Sequence, residues 1–173
     1  MTTSYIITFI GDDRPGLVEQ LSAVIENNRG NWHESRLAQL GGKFTGLVLV
    51  SLPGDDGAGL EAELKSLADS GISVRVTPTG GGTPPAHGKR VTLSAIGPDR
   101  LGIVREIART LAARGVNVIE MDSEVSSAPM SAEMLFQTRI DAEIPDSLSL
   151  DELSDALEDI ANQLTLDIDL ESA

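Results

Sequence analysis

Apolar and polar residues alternate through Tyr5–Ile10, with Tyr5, Ile7 and Phe9 on one side and Thr8 on the other. A period of two predicts a strand with one buried face. The spacing then changes. Leu17, Val18, Leu21, Val24 and Ile25 recur at i, i+1, i+4, i+7 and i+8, which predicts a helix that starts at Pro15 and buries one stripe. Strands over Asn31–Gln39 and Phe44–Leu52 follow, joined through Gly41-Gly42, a hairpin signal. Leu60, Leu64 and Leu67 mark a second helix over Gly59–Asp69, and Ile72, Val74 and Val76 a closing strand.

The same pattern then repeats. Gly11-Asp-Asp-Arg-Pro-Gly-Leu-Val18 returns as Gly97-Pro-Asp-Arg-Leu-Gly-Ile-Val104, 86 residues later. Without a gap, Gly11, Asp13, Arg14, Gly16, Val18 and Asn31 match Gly97, Asp99, Arg100, Gly102, Val104 and Asn117. Val91, Leu93 and Ala95 stand for the first strand, with Ser94 facing away, and Ile103, Val104, Ile107 and Leu111 for the helix, which starts from Leu101. Further strands are predicted at Asn117–Val125 and Met134–Ala142, joined through Ser127-Ala-Pro-Met130. Ser149 and Glu152 form a capping-box signature ahead of Leu153, Leu157 and Ile160. Leu166, Ile168 and Leu170 close the copy, with Asp167 and Asp169 marking a solvated face.

Between the copies the chain reads Thr77-Pro-Thr-Gly-Gly-Gly-Thr-Pro-Pro-Ala-His-Gly-Lys89, a Gly/Pro-rich stretch with no apolar period. The predicted organisation is a domain over 1–77, a linker over 78–88 and a domain over 89–173. Each domain has the order βαββαβ, an α+β ferredoxin-like fold with an antiparallel sheet and helices on one face. One sheet face of each domain starts uncovered, so the sheets invite pairing edge to edge or face to face, within the chain or in a homodimer.

Composition narrows the function. The net charge of −14, with 13 basic and 27 acidic side chains, argues against a nucleic-acid surface and against anionic lipid. RNA-recognition folds share the βαββαβ order but need stacking aromatics and a basic surface, and aromatics make up 3% of the chain. There is no cysteine, which excludes disulfides and thiolate chemistry. His33 and His87 belong to no metal-spaced cluster, and neither a G-x-S-x-G nor a phosphate-loop sequence is present. Gly80-Gly-Gly82 reads as linker glycine. These features predict a non-catalytic cytoplasmic protein without cofactor or metal.

The motif Asp13-Arg-Pro-Gly-Leu-Val18 after an apolar strand resembles the ACT domain, as do Asp99-Arg-Leu-Gly-Ile-Val104 and Arg114-Gly-Val-Asn-Val118. A tandem pair over nearly the whole chain is similar to the glycine cleavage system transcriptional repressor group. The resemblance implies that a small amino acid, glycine or similar, is bound by the strand–helix turn and by strand two. The partner would be a transcription factor or, for a detached regulatory subunit, an amino-acid metabolic enzyme. The candidate binding residues are Asp12, Asp13, Arg14, Gly16, Leu17 and Asn31 in copy one, and Asp99, Arg100, Gly102, Ile103 and Asn117 in copy two. Serine-binding ACT domains of biosynthetic dehydrogenases place a His where Gly11 and Gly97 stand and an Asn at Asp13 and Asp99, so the resemblance does not carry over the serine-specific contacts, while a different small ligand stays compatible with it.

Physical chemistry supports such a turn. Free N–H groups and the helix dipole attract an anion, Pro15 suits a first helical position, and Gly16 and Gly102 leave room for close approach. Plainer roles stand beside these. Asp13 and Asp99 could only cap helices, and the glycines could only pack a helix on a strand. Asn31 and Asn117 could be turn residues, and Arg14 and Arg100 solvated charges.

Overall fold

The computed structural model describes residues 1–54, 56–80 and 88–172. It divides into two compact units, Met1–Pro84 and Pro85–Ala173. Most of the stretch read as a linker, 81–87, lies outside the described residues, as does His87.

The first unit runs β1 (Thr2–Asp12), α1 (Leu17–Asn27), β2 (Asn31–Leu40), β3 (Lys43–Pro53), α2 (Gly57–Lys65), a 3₁₀ turn at Ser66–Ser70, and β4 (Ser73–Pro78). The second runs β5 (Lys89–Pro98), α3 (Ile103–Ala113), β6 (Asn117–Ser127), β7 (Met134–Ile144), α4 (Leu150–Leu164) and β8 (Asp167–Ser172). The strand orders are β2-β3-β1-β4 and β6-β7-β5-β8, all antiparallel. This is the α+β order that the apolar pattern predicts.

Most strands outrun their predicted bounds, because hydrogen-bonded pairing continues past the last apolar residue. β1 stays in register with β3 from Thr2↔Pro53 to Asp12↔Lys43. β4 reaches Pro78, tolerated because β4 is an edge strand. Thr79 then donates its N–H (2.9 Å) and its hydroxyl (3.1 Å) to the Ser4 carbonyl, so the first sheet holds residues that the sequence assigns to the linker. Gly41 and Gly42, at φ 59° and 78°, join β2 to β3 with both central residues left-handed, as a two-residue hairpin turn of this kind requires.

The helices cover one face of each sheet. Ile7, Phe9, Val48, Val50 and Leu52 meet Leu17, Leu21, Ile25, Leu60 and Leu64 in one core. Val91, Leu93, Phe136 and Ile140 meet Ile103, Ile107, Leu111, Leu153 and Leu157 in the other. Val18 and Val104, part of the predicted apolar stripe, instead stay 40% and 44% exposed, because they point past the side that meets the sheet. The predicted capping box forms: the Glu152 N–H donates to Ser149 Oγ, and the Ser149 N–H to the Glu152 carboxylate.

Close backbone approach falls on Gly11 and Gly97 rather than on the next motif glycines. A Cβ at Gly97 would lie 2.7 Å from the Thr165 carbonyl oxygen and 2.7 Å from Leu166 Cδ2, whereas one at Gly11 would meet nothing nearer than Leu17 at 3.2 Å. Gly97→Ala should therefore cost roughly 1–3 kcal/mol as an overpacked site, and Gly11→Ala distinctly less. Urea unfolding of the two variants checks this, and equal losses would contradict it.

Candidate functional site

Two structurally equivalent turns carry most of the candidate residues. In each, the chain leaves the central strand, crosses four residues and enters the first helix of its unit. The helices begin later than the sequence predicts, at Leu17 and Ile103. Pro15 therefore precedes the helix instead of opening it. Asp13 and Asp99 are not the helix caps, which are Gly16 and Gly102 at φ 88° and 94°. Only glycine takes that left-handed conformation without cost, and this explains both residues. No other atom lies within 4 Å of where their Cβ would sit, so helix–strand packing does not require them.

Both helices start without a side-chain cap. Their first bonds close back on the glycine carbonyls, from Gln20 N at 2.9 Å and from Glu106 N at 3.0 Å. The space beside each cap glycine is open, and the N–H groups of a first helical turn have no partner within the helix, an arrangement suited to an anion. Leu17 and Ile103 are each 2% exposed. As core residues, they can offer a ligand only their N–H groups. The exposed Val18 and Val104 add an apolar edge that the stripe pattern had assigned to the core.

The two turns differ in charge. Asp12 pairs with Lys43 across β1 and β3, and this hydrogen bond and charge hold its carboxyl below the usual carboxylate range. The equivalent pair in the second unit is Pro98 and Leu135. Asp13 and Asp99 are exposed, and their N–H groups donate to the carbonyls of Gly42 (3.0 Å) and Met134 (2.8 Å). Arg14 donates to Gln20 Oε1 (2.9 Å) and to the Ser70 carbonyl (3.3 Å), tying the turn to the loop ahead of β4. Arg100, beside Asp99, is exposed.

Asn31 and Asn117 are not brought to these turns. Asn31 pairs with Ser51, and Ser51 with Ser4, at the far end of the sheet from Asp12. Asn117 pairs with Glu143, opposite Arg90, at the far end from Pro98. A strand advances about 3.3 Å per residue, so eight residues separate the candidates by about 26 Å within each unit. The helix accounts for this, since it carries the chain the full length of the sheet before strand two begins. Strand two does carry a shared irregularity there: the ladder slips between Trp32 and Glu34 and between Val118 and Glu120, leaving His33 and Ile119 as equivalent bulge residues. His33 Nε2 lies 2.7 Å from Ser51 Oγ.

A concavity of about 540 Å³ lies on the uncovered face of the second sheet. Arg139 and Ser94 floor it between Asp122 and Glu124 on one side and Asp167 and Asp169 on the other. None of the predicted site residues lines it. Among the described residues no group of three or more His, Asp or Glu could hold a metal ion, and no helix is long and apolar enough to cross a membrane.

Two measurements check the turns. An Ala at Gly16 or Gly102 meets no steric obstacle, so its cost should be strain alone, about 1–2 kcal/mol, and Gly16→Asn should recover part of it. Thermal unfolding reads both changes. Proton titration by NMR should find Asp12 protonating at lower pH than an ordinary aspartate. Lys43→Met should return it to normal and lower stability most above the ordinary aspartate value, the difference from the unaltered chain vanishing as pH falls through the folded value, because there the depressed carboxyl loses its stabilising pair.

Residues 3–77 and 91–162 each match the ACT domain family. No curated protein matches the chain. A solved structure of an unknown protein from Galdieria sulphuraria is 32% identical, with a TM-score of 0.88 over 100% of this chain and 99% of that one. A candidate glycine cleavage system transcriptional repressor is 21% identical, with a TM-score of 0.74 over 100% and 98%. The chain belongs to the ACT domain family, as a tandem pair of ACT domains.

Proposed function

We propose that this chain senses a small amino acid, glycine or one of similar size, and passes the signal to a partner protein by direct contact. The observation that carries the reading is the pair of uncapped helix starts at Gly16 and Gly102, each facing open space beside an exposed aspartate. A zwitterion suits such a place. Its carboxylate would accept from the first-turn N–H groups of α1 or α3, and its ammonium would pair with Asp13 or Asp99. Val18 and Val104 would border a small apolar side chain. Asp12 is already engaged by Lys43, which leaves Asp13 the better ammonium partner in the first unit.

The regulated process follows the same reading. The chain would act as a regulator of transcription for glycine cleavage, working on a transcription factor rather than on DNA, and would itself catalyse nothing. The net charge of −14 supports contact with protein over contact with nucleic acid. Ligand would act by binding one partner-competent state better than another, since equal affinity shifts nothing.

Thermal unfolding against a panel of amino acids tests the sensor. A ligand of the folded chain at 100 times its dissociation constant stabilises it by about 2.7 kcal/mol, so glycine or a near relative should shift the midpoint selectively. Asp13→Asn and Asp99→Asn should weaken binding at their own turns by roughly tenfold or more, the loss of a charge-assisted hydrogen bond. No shift with any amino acid at millimolar concentration would overturn the reading. Capture of partners with and without ligand then separates a transcription factor from a metabolic enzyme.

A further inference from the structure

The helices leave one face of each sheet bare, and the two bare faces have diverged. Arg36, Leu47, Thr8 and Arg75 form one cross-strand row on the first sheet. At the same register on the second sheet stand Asp122, Arg139, Ser94 and Asp169. The neighbouring rows repeat the contrast. Leu49 and Ile6 meet side by side where the second sheet places Asp141 and Thr92, and Ala38 stands where it places Glu124. The fold and backbone are the same, so geometry does not impose the difference. The second face is dressed for water. An exposed isoleucine stands on both faces, Ile10 at 47% and Ile96 at 40%, but the first adds Leu47, 49% exposed, with Ile6 and Leu49 half-buried in the next row.

We infer that the bare face of the first sheet is the contact between two copies of this chain, packed sheet on sheet about a two-fold axis. Three observations select a second copy. The face has the anatomy of an interface, with apolar residues at its centre and charge at its rim: Glu34 and Arg36 on edge strand β2, Arg75 on edge strand β4, and the Asp12–Lys43 pair at one end. Its charge permits self-contact. Two chains of −14 repel one another wherever both are acidic. The face of the second sheet carries more carboxylates, Asp122, Glu124, Asp141 and Asp169 among them, than its Arg139 and Arg90 can balance, whereas on the first the two carboxylates Glu34 and Asp12 meet Arg36, Arg75 and Lys43.

Its size also fits. Four strands about 4.8 Å apart and about ten residues long span roughly 600 Å² in projection, and a corrugated surface of that footprint approaches the ~800 Å² per partner of a standard interface. Packed sheets align within about 30° at a spacing of about 10 Å. An axis along the strands would lay β2 of each copy over β4 of the other. The axis sets Arg36 opposite the other copy's Arg75, and Glu34, one row away and 3.5 Å from Arg36, would lie between the two cations within reach of both. This contact is independent of any ligand at the turns.

Leu47→Arg tests the inference, because it installs at one position what the second sheet already carries at Arg139 without losing the fold. Light scattering with size-exclusion chromatography, at tens of micromolar, should give the unaltered chain twice its own mass. Leu47→Arg should run as a monomer with unchanged circular dichroism, its dimer dissociation constant raised about 100-fold or more by an unpaired charge at the centre of the contact. A second probe leaves the apolar residues in place. The chain has no cysteine, so a bismaleimide long enough to span the sheet spacing should cross-link copies of Thr8→Cys but not of Ser94→Cys, its counterpart. A monomeric unaltered chain would overturn the inference, as would a Leu47→Arg dimer or equal cross-linking by the two cysteines.

Discussion

Two helices can cover only one side of a four-stranded sheet, and the rest of this protein follows from that limit. Each unit buries Ile, Val, Leu and Phe from alternate strand positions beneath α1 and α2 or α3 and α4. The remaining alternate positions have no partner inside their own unit. Their residues record what each bare face meets: carboxylates and Arg139 on the second sheet, Ile, Leu and Thr on the first. A domain of this size has little core to spare, so an apolar bare face is a substantial share of what it can still bury.

The same limit shapes the candidate site. For a helix to return along the sheet, the chain must reverse between the central strand and the first helical turn. It does so through a left-handed glycine in both units. That residue has no side chain with which to cap the helix, whereas Ser149 caps α4 fully. A geometric need for glycine thus exposes uncapped N–H groups at the end of the sheet where Asp13 and Asp99 lie. The missing side-chain cap is a by-product of how the chain turns.

Much of this was legible in the chain. The alternation in β1 and β5, the helical stripes, the two-glycine hairpin, the capping box and the 86-residue repeat lead to two βαββαβ units, because each is a local signal with its own physical cause. The candidate site was legible only in part. The motif marks the turns, but it places the helix start at Pro15 and Leu101 where the structure starts at Leu17 and Ile103. A motif shows where the chain turns, while backbone dihedrals decide which residue caps. Val18 and Val104 look like core because they continue an apolar stripe, yet they point past the side of the helix that meets the sheet and stay exposed.

The sequence by itself determined the strands, the helices, the duplication and the family, since periodicity and turn chemistry act over a few residues. Tertiary structure alone decided which residues meet. Asn31 and Asn117 align within the repeat motif, but a helix that spans the sheet carries them about 26 Å from the turns. Arg36 and Asp122 share a register position, yet only strand pairing sets one on a largely apolar face and the other beside a concavity. Contacts across a sheet join residues far apart in the chain, and no local pattern encodes that distance.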